Sequence, residues 1–339
     1  SLECAKEDLE ESIVRQDPLK GEAVIANFQR VAVGSSGSVS MLRDSVEVSA
    51  AYLDEDEILF SFPGALGKVV GYFARGDLVS YLSFTNRGKS WWQWYTAQMG
   101  MYLGLKTVFI TLEMPRSQMV RRAWQSMVGS PRKGQKVVIP YFEWNEGEGL
   151  FFIRSREENR KAVNVGEIAD KQKSFRFQFR SGSSQVQYFP AYSATVDDLV
   201  AYLDGLEYYE RFVPDIVVVD YADIIAPTHR GEYRHQIDDI WKRLRRLAQE
   251  RNILLVTASQ SGRSTARSDA REDDVAEDIR KLAHCSKMIS LNQTRRDYER
   301  GIMRVNQLKE RDGRRNYHTA MVLQCLDIGR PCLDSRMEN

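Results

Sequence analysis

A lysine and a hydroxyl directly after a glycine can grip a nucleotide's phosphates. Gly88-Lys89-Ser90 offers them at the end of the run Leu82-Ser83-Phe84-Thr85-Asn86-Arg87-Gly88-Lys89-Ser90. In a P-loop, backbone N–H groups at a helix start hold phosphate oxygens. Lys89 would reach the β- and γ-phosphates of ATP, and the Ser90 hydroxyl would ligate Mg²⁺. Ser83, Asn86, Arg87 and Gly88 would complete the cradle. The run departs from GxxxxGK[ST] at its first glycine, which here is Ser83, a small residue. A bland surface turn is the competing reading of the triplet alone.

Such a loop needs a strand before it and a helix after it. Asp77 to Leu82 reads as a short apolar strand, and Trp91 to Tyr102 as a helix with no breaker before Gly100. Three further apolar runs end in polar groups: Lys106 to Glu113, Pro214 to Tyr221 with Asp220 near its end, and Asn252 to Gln260. Strands that are apolar on both faces belong to a parallel sheet covered by helices, so the fold class is α/β. Ligands of such sheets sit beyond the carboxyl ends of the strands. The loop, Glu113, Asp220 and Gln260 all fall there. Any one acid could be a helix cap or a solvated turn, but four polar groups at four strand ends argue for one site.

Several of these segments together resemble the ATPase domain of DnaB-type replicative helicases, a branch of the RecA-like P-loop ATPases. They are Gly76-Asp77-Leu78, Thr111-Leu112-Glu113-Met114-Pro115, Val219-Asp220-Tyr221, Ser259-Gln260 followed by Arg263, and Gln307-Leu308-Lys309-Glu310-Arg311-Asp312-Gly313. The resemblance runs from about residue 60 to 330, is interrupted near 130 to 190, and tolerates a small residue at Ser83. It implies a RecA-like core with a mainly parallel sheet flanked by helices. It also implies that Glu113 activates the attacking water, Asp220 holds the Mg²⁺ shell and Gln260 senses the γ-phosphate. Lys309 and Arg311 would lie on one face of a strand before a turn at Asp312-Gly313, completing a neighbouring copy's site in trans. The implied function is an ATP-driven helicase or translocase subunit in a hexameric ring on single-stranded DNA, with RNA as the open alternative. A primase or a loader is the implied partner. A RecA- or KaiC-like ATP-dependent switch, mediator or loader without unwinding is the second reading. No room is left for the N-terminal helical domain of that family. The chain also starts at Ser1, so a processed or excised fragment, of phage origin, is expected.

The expected domains are an N-terminal extension over 1–60, an ATPase domain over 61–330 with a β-rich insertion over about 129–190, and a tail over 331–339. Cys4, Cys285, Cys325 and Cys332 show neither CxxC pairing nor histidines at ligand spacing. Structural zinc is therefore not expected, and a reducing cytosol is. No signal peptide and no membrane-spanning run is read, so a cytoplasmic protein of a bacterial or phage-infected cell follows.

The net charge of +1 conceals an acidic first sixty residues and a basic stretch from Arg116 to Arg180. Arg230 and Arg234, and Arg263 and Arg267, lie in two Gly-containing basic loops after the Asp220 and Gln260 strands. Loops at these places line the pore in RecA-like rings, where they would track a nucleic-acid backbone. From 242 to 251 the arginines read instead as the solvated face of a helix whose apolar side carries Ile240, Leu244 and Leu247. Within the insertion, Val137–Phe142, Leu150–Ile153 and Phe175–Arg180 read as strands, with turns at Gly182 and Ser183-Ser184. The last alternates aromatic with polar residues and is either a hairpin's buried face or a stacking platform. Leu19 to Val33 reads as a short helix ahead of a linker, and Trp91, Trp92 and Trp94 as core.

Overall fold

Leu78-Val79, Val108-Phe109-Ile110, Ile216 to Val219 and Leu254-Leu255-Val256 are all buried, the central rows of one sheet. The structure, a computed structural model, describes residues 57–338 except 85, 180–182, 261–278, 312 and 314. The readings made for residues 1–56, for the loop bearing Arg263 and Arg267, and for Asp312 lie outside the described residues.

The elements in order are β1 (Ile58–Ser61), α1 (Gly64–Val70), β2 (Tyr72–Ala74), β3 (Leu78–Ser83), α2 (Lys89–Tyr102), β4 (Lys106–Thr111), α3 (Arg116–Val128), β5 (Gln135–Asn145), β6 (Leu150–Arg160), α4 (Ile168–Phe179), β7 (Ser183–Tyr188), α5 (Val196–Glu210), β8 (Ile216–Asp220), α6 (Tyr233–Glu250), β9 (Leu254–Gln260), α7 (Ile279–His284), β10 (Lys287–Asn292), α8 (Arg295–Glu299), β11 (Ile302–Glu310), β12 (Thr319–Cys325) and β13 (Arg330–Met337). Nine strands form the main sheet in the order β13-β12-β11-β10-β3-β9-β8-β4-β7. The six from β10 to β7 pair in parallel, and β11, β12 and β13 add an antiparallel flank.

Alternate side chains of each strand enter opposite faces of a sheet. Leu78, Val108, Ile110, Val217, Val219 and Leu255 pack with Leu199 and Leu203 of α5 and Ile240, Trp241 and Leu244 of α6. Val79, Phe109, Ile216, Val218 and Val256 pack on the other side with Trp92 and Trp94 of α2 and Met119 and Ala123 of α3. Each fully buried aliphatic side chain stabilises by about 1.5–3 kcal/mol, so the sheet is a rigid floor with both faces sealed. That is why the runs read as continuously apolar. Arg246 faces outward as expected and pairs with Glu250 at 2.7 Å, whereas Arg243 and Arg251 are partly buried against Asp197 and Asp204, and Arg245 against the His284 carbonyl.

Three expectations need correction. Phe175 to Phe179 do not form a strand but close helix α4. A helix turns alternate residues about 200° apart. Phe175 accordingly stacks on Trp124 with centroids 6.0 Å apart, while Phe177 is 90% exposed. Ser183-Ser184 is not a turn but the start of β7, which pairs with β4 at the sheet edge. Residues 331–337 are not a tail. They belong to β13, which pairs with β12, and Ser335 Oγ accepts the Leu66 N–H at 3.0 Å.

The remaining insertion is an antiparallel β5–β6 hairpin, eleven residues a side, anchored where Val137 and Ile139 meet Cys325 and Ile328. Its basic residues are largely matched by acids, including Arg154 with Glu143 at 2.9 Å and Arg160 with Glu158 at 2.7 Å. Among the described residues no helix is long and apolar enough to cross a membrane.

Candidate active site

β3 delivers the chain to the loop and α2 takes it away. Between them Gly88 holds a left-handed conformation, φ +79°, that a side chain would strain, and Asn86 holds φ +62°. Lys89 Nζ donates to the Ser83 carbonyl at 3.1 Å, folding the ammonium back over the loop. Ser83 is fully buried and its hydroxyl donates to the Phe84 carbonyl at 3.0 Å, so a small polar residue fits where the motif has glycine. Arg87 donates to the Gln293 carbonyl and pins the loop to the turn after β10. Burial lowers the Lys89 ammonium to about 8, while Asp220, Glu113 and Asp223 pull it back up.

Asp220 ends β8 beside this loop. Burial lifts its carboxyl to about 6; a hydrogen bond from Ser90 and the charges of Arg122 and Lys89 oppose the shift, and Glu113 adds to it. Its Oδ2 is buried without a hydrogen-bond partner among the described residues. An orphaned carboxylate oxygen next to a hydroxyl is a donor set that suits a small, hard cation such as Mg²⁺. Glu113 stands two residues beyond β4 and is exposed, close enough to act electrostatically on Lys89, Asp220 and Tyr221. Gln260 closes β9 and donates to the Tyr221 hydroxyl at 3.3 Å. Burial, then Glu113, pushes that phenol up to about 12. The structure therefore brings Lys89, Ser90, Glu113 and Asp220 together, with Gln260 tied to their rim.

One solved structure, of an isolated ATPase domain, superposes with a TM-score of 0.60 at 17% identity, covering 88% of this chain and 100% of that one. A DnaB-like replicative helicase, studied with its interactions with primase, gives 0.61 at 14% identity over 96% of this chain and 73% of its own. The chain has the fold of a DnaB-like helicase ATPase domain. In sequence, a DnaB-like replicative helicase of Enterobacteria phage T4 is 26% identical over 159 residues, 45% of this chain and 34% of that protein. The chain thus spans about a third of the length of that curated relative. No family model matches it.

Within this DnaB-like fold the remaining expected residues take separate places. Arg230 and Arg234 are exposed where β8 passes into α6. Lys309 Nζ donates to the carbonyls of Leu282 and Ala283 at 2.6 and 3.1 Å, so it holds the carboxyl end of α7. Arg311 follows β11, is exposed, and engages no acid or carbonyl among the described residues. Lys309 and Arg311 therefore have different surroundings, where the sequence predicts one shared face. A register shift in the β10–β11 pairing falls between Gln307 and Lys309.

Two features escape the sequence reading. Arg122 of α3 is half-buried with its guanidinium 5.3 Å from the Trp91 ring centroid. Burial lowers its pKa, and the charges of Asp220 and Glu113 oppose that shift. Its spacing of three from buried Met119 was the available signal, since such residues share a helix face. The second is a buried ion pair behind the site: Lys281 Nζ donates to Asp223 Oδ2 at 2.8 Å and to Ser259 Oγ at 3.3 Å. Trp241 Nε1 donates to the other Asp223 oxygen at 3.2 Å.

Proposed function

We propose that the chain is the ATP-hydrolysing motor of a ring-forming helicase or translocase that moves on single-stranded nucleic acid, DNA being the expected strand. The observation that carries this reading is the convergence of Lys89, Ser90, Glu113 and Asp220 at the carboxyl ends of parallel strands in a DnaB-like fold. Lys89, in a largely desolvated loop, offsets phosphate charge where that charge is worth most. Ser90 and Asp220 would hold a Mg²⁺ ion, which when bound screens the phosphate oxygens. Glu113, at the open mouth, takes the proton of the water that attacks the γ-phosphorus as the bond to the β-phosphate oxygen breaks. Gln260 links that event to the chain after β9 through Tyr221. Arg311 supplies a cation to the site of the next copy, an effect worth about 10³-fold or more for such residues. The primase contact described for the structural neighbour makes a primase a candidate partner here.

The test is ATP turnover with and without single-stranded DNA, followed by separation of a forked duplex. Stimulated turnover with strand separation is expected, both abolished by Lys89→Ala. Turnover that ignores DNA, coupled to an ATP-driven change of oligomeric state without strand separation, would establish a switch of the RecA or KaiC kind instead.

A further inference from the structure

Arg311 does not stand alone. It lines a cleft of about 330 Å³ whose walls also carry Arg75, Asp77, Arg245 and Ser286. Each of these lies at the amino end of the parallel sheet. Arg75 and Asp77 precede β3, Ser286 precedes β10, and Arg311 follows β11, whose end pairs with the start of β10. Arg245 lies in the second half of α6, which returns the chain to the start of β9. The loop with Lys89 leaves the other end of β3. Six residues at 3.3 Å each put the two sites roughly 20 Å apart, so the cleft cannot serve its own chain's nucleotide.

Its charges are unevenly matched. Arg75 is neutralised by Asp215 and by Glu57 at 2.9 Å. Asp77 faces the cleft, and its carboxylate accepts the Ala74 N–H at 3.3 Å. Arg245 donates one Nη1 bond to the His284 carbonyl at 2.7 Å, a neutral acceptor that leaves the cationic charge in place. A guanidinium has five N–H donors, so others remain for a ligand. Two guanidiniums on the walls of an open, mostly polar cleft match the oxygens of a phosphoryl group better than any apolar ligand.

We propose that Arg245 acts beside Arg311 as a second cation toward the phosphates of a neighbouring copy's nucleotide. The inference rests on the ring reading above and adds to it a residue from α6. The rival role for Arg245 is structural, a clamp on the end of α7 shared with Lys309.

Mixing experiments separate the two. Lys89→Ala keeps the cleft and loses the loop; Arg245→Gln keeps the loop and loses the cleft. Neither variant alone should turn over ATP well. In a head-to-tail assembly of equal amounts, half the intact loops meet an intact cleft, restoring up to about a quarter of wild-type activity. Arg245→Gln must first bind a fluorescent ATP analogue like wild type; if it does not, Arg245→Met, which also removes the cation but keeps a long unbranched stem, replaces it. Complementation by both Arg245→Gln and Arg311→Ala with Lys89→Ala supports the proposal. Complementation by Arg311→Ala alone overturns it and leaves the ring intact. Failure of both pairs overturns the ring reading as well.

Discussion

Lys281→Met should cost about 3 kcal/mol of folding stability, and the reason lies in what it leaves behind. Lys281 and Asp223 are 10% and 11% exposed and 2.8 Å apart. At an effective dielectric of about 20 their attraction is roughly 6 kcal/mol. Taking each ion from water costs several kcal/mol, so the pair as a whole contributes little net stability. Removing one partner is different, because a buried charge is then stranded, at about 3–5 kcal/mol. The low end applies because Trp241 Nε1 still donates to Asp223, and Ser259 Oγ lies 3.5 Å from its Oδ2. Asp223→Asn removes the same ion pair from the other side and should also destabilise the fold. In Lys281→Met/Asp223→Asn neither charge remains, and the double variant should be at least about 2 kcal/mol more stable than the sum of the single losses implies. Urea titration followed by tryptophan fluorescence reads all four proteins. Losses that add within about 0.5 kcal/mol would show that the two groups do not hold each other in solution, and the reasoning would fall.

Glu113→Gln should bind ATP with wild-type affinity and hydrolyse it about 10²-fold more slowly or worse, in a single-turnover assay; an unchanged rate removes Glu113 as the base. Gly329→Ala should lower stability by about 2 kcal/mol in the same titration. The added Cβ would lie 2.8 Å from backbone atoms of Ser126 and 3.0 Å from Trp91 at a φ of +67°. Binding of ATP in the presence of EDTA should weaken with rising pH. Burial lowers the Lys89 ammonium to about 8, and phosphates bind the ammonium, so affinity is flat below that pH and falls by up to tenfold per unit above it. Calorimetry across pH 6.5 to 9.5 shows the bend, and Lys89→Met should remove it.

The central strands and four site residues were legible because their signals are local. Parallel strands buried on both faces leave no polar gaps; β4, β8 and β9 each deliver a functional group within two residues of their ends, and β3 leads through a motif-bearing loop to Lys89 and Ser90. β7 and β13 carry Ser, Gln, Arg and Asp at edges where few positions are buried, so no period stands out. α4 presents three phenylalanines at alternate positions, a strand's pattern overruled by its surroundings. Arg122 was visible only as part of a basic run, since what distinguishes it is the pair of carboxylates brought near it from β4 and β8. The arginine cleft joins positions 75, 245 and 311, and Lys281 meets Asp223 across 58 positions. Such juxtapositions have no sequence period at all.

The placement of the loop and the cleft at opposite ends of β3 has an arithmetic consequence. If each nucleotide needs both, an open row of n copies contains only n − 1 complete sites. The first copy has an unused cleft and the last an unassisted loop. Closing the row adds the missing one, so turnover per copy rises at closure and reports it. A breach made to admit a strand that has no free end would silence hydrolysis at that seam alone, while every other junction keeps working.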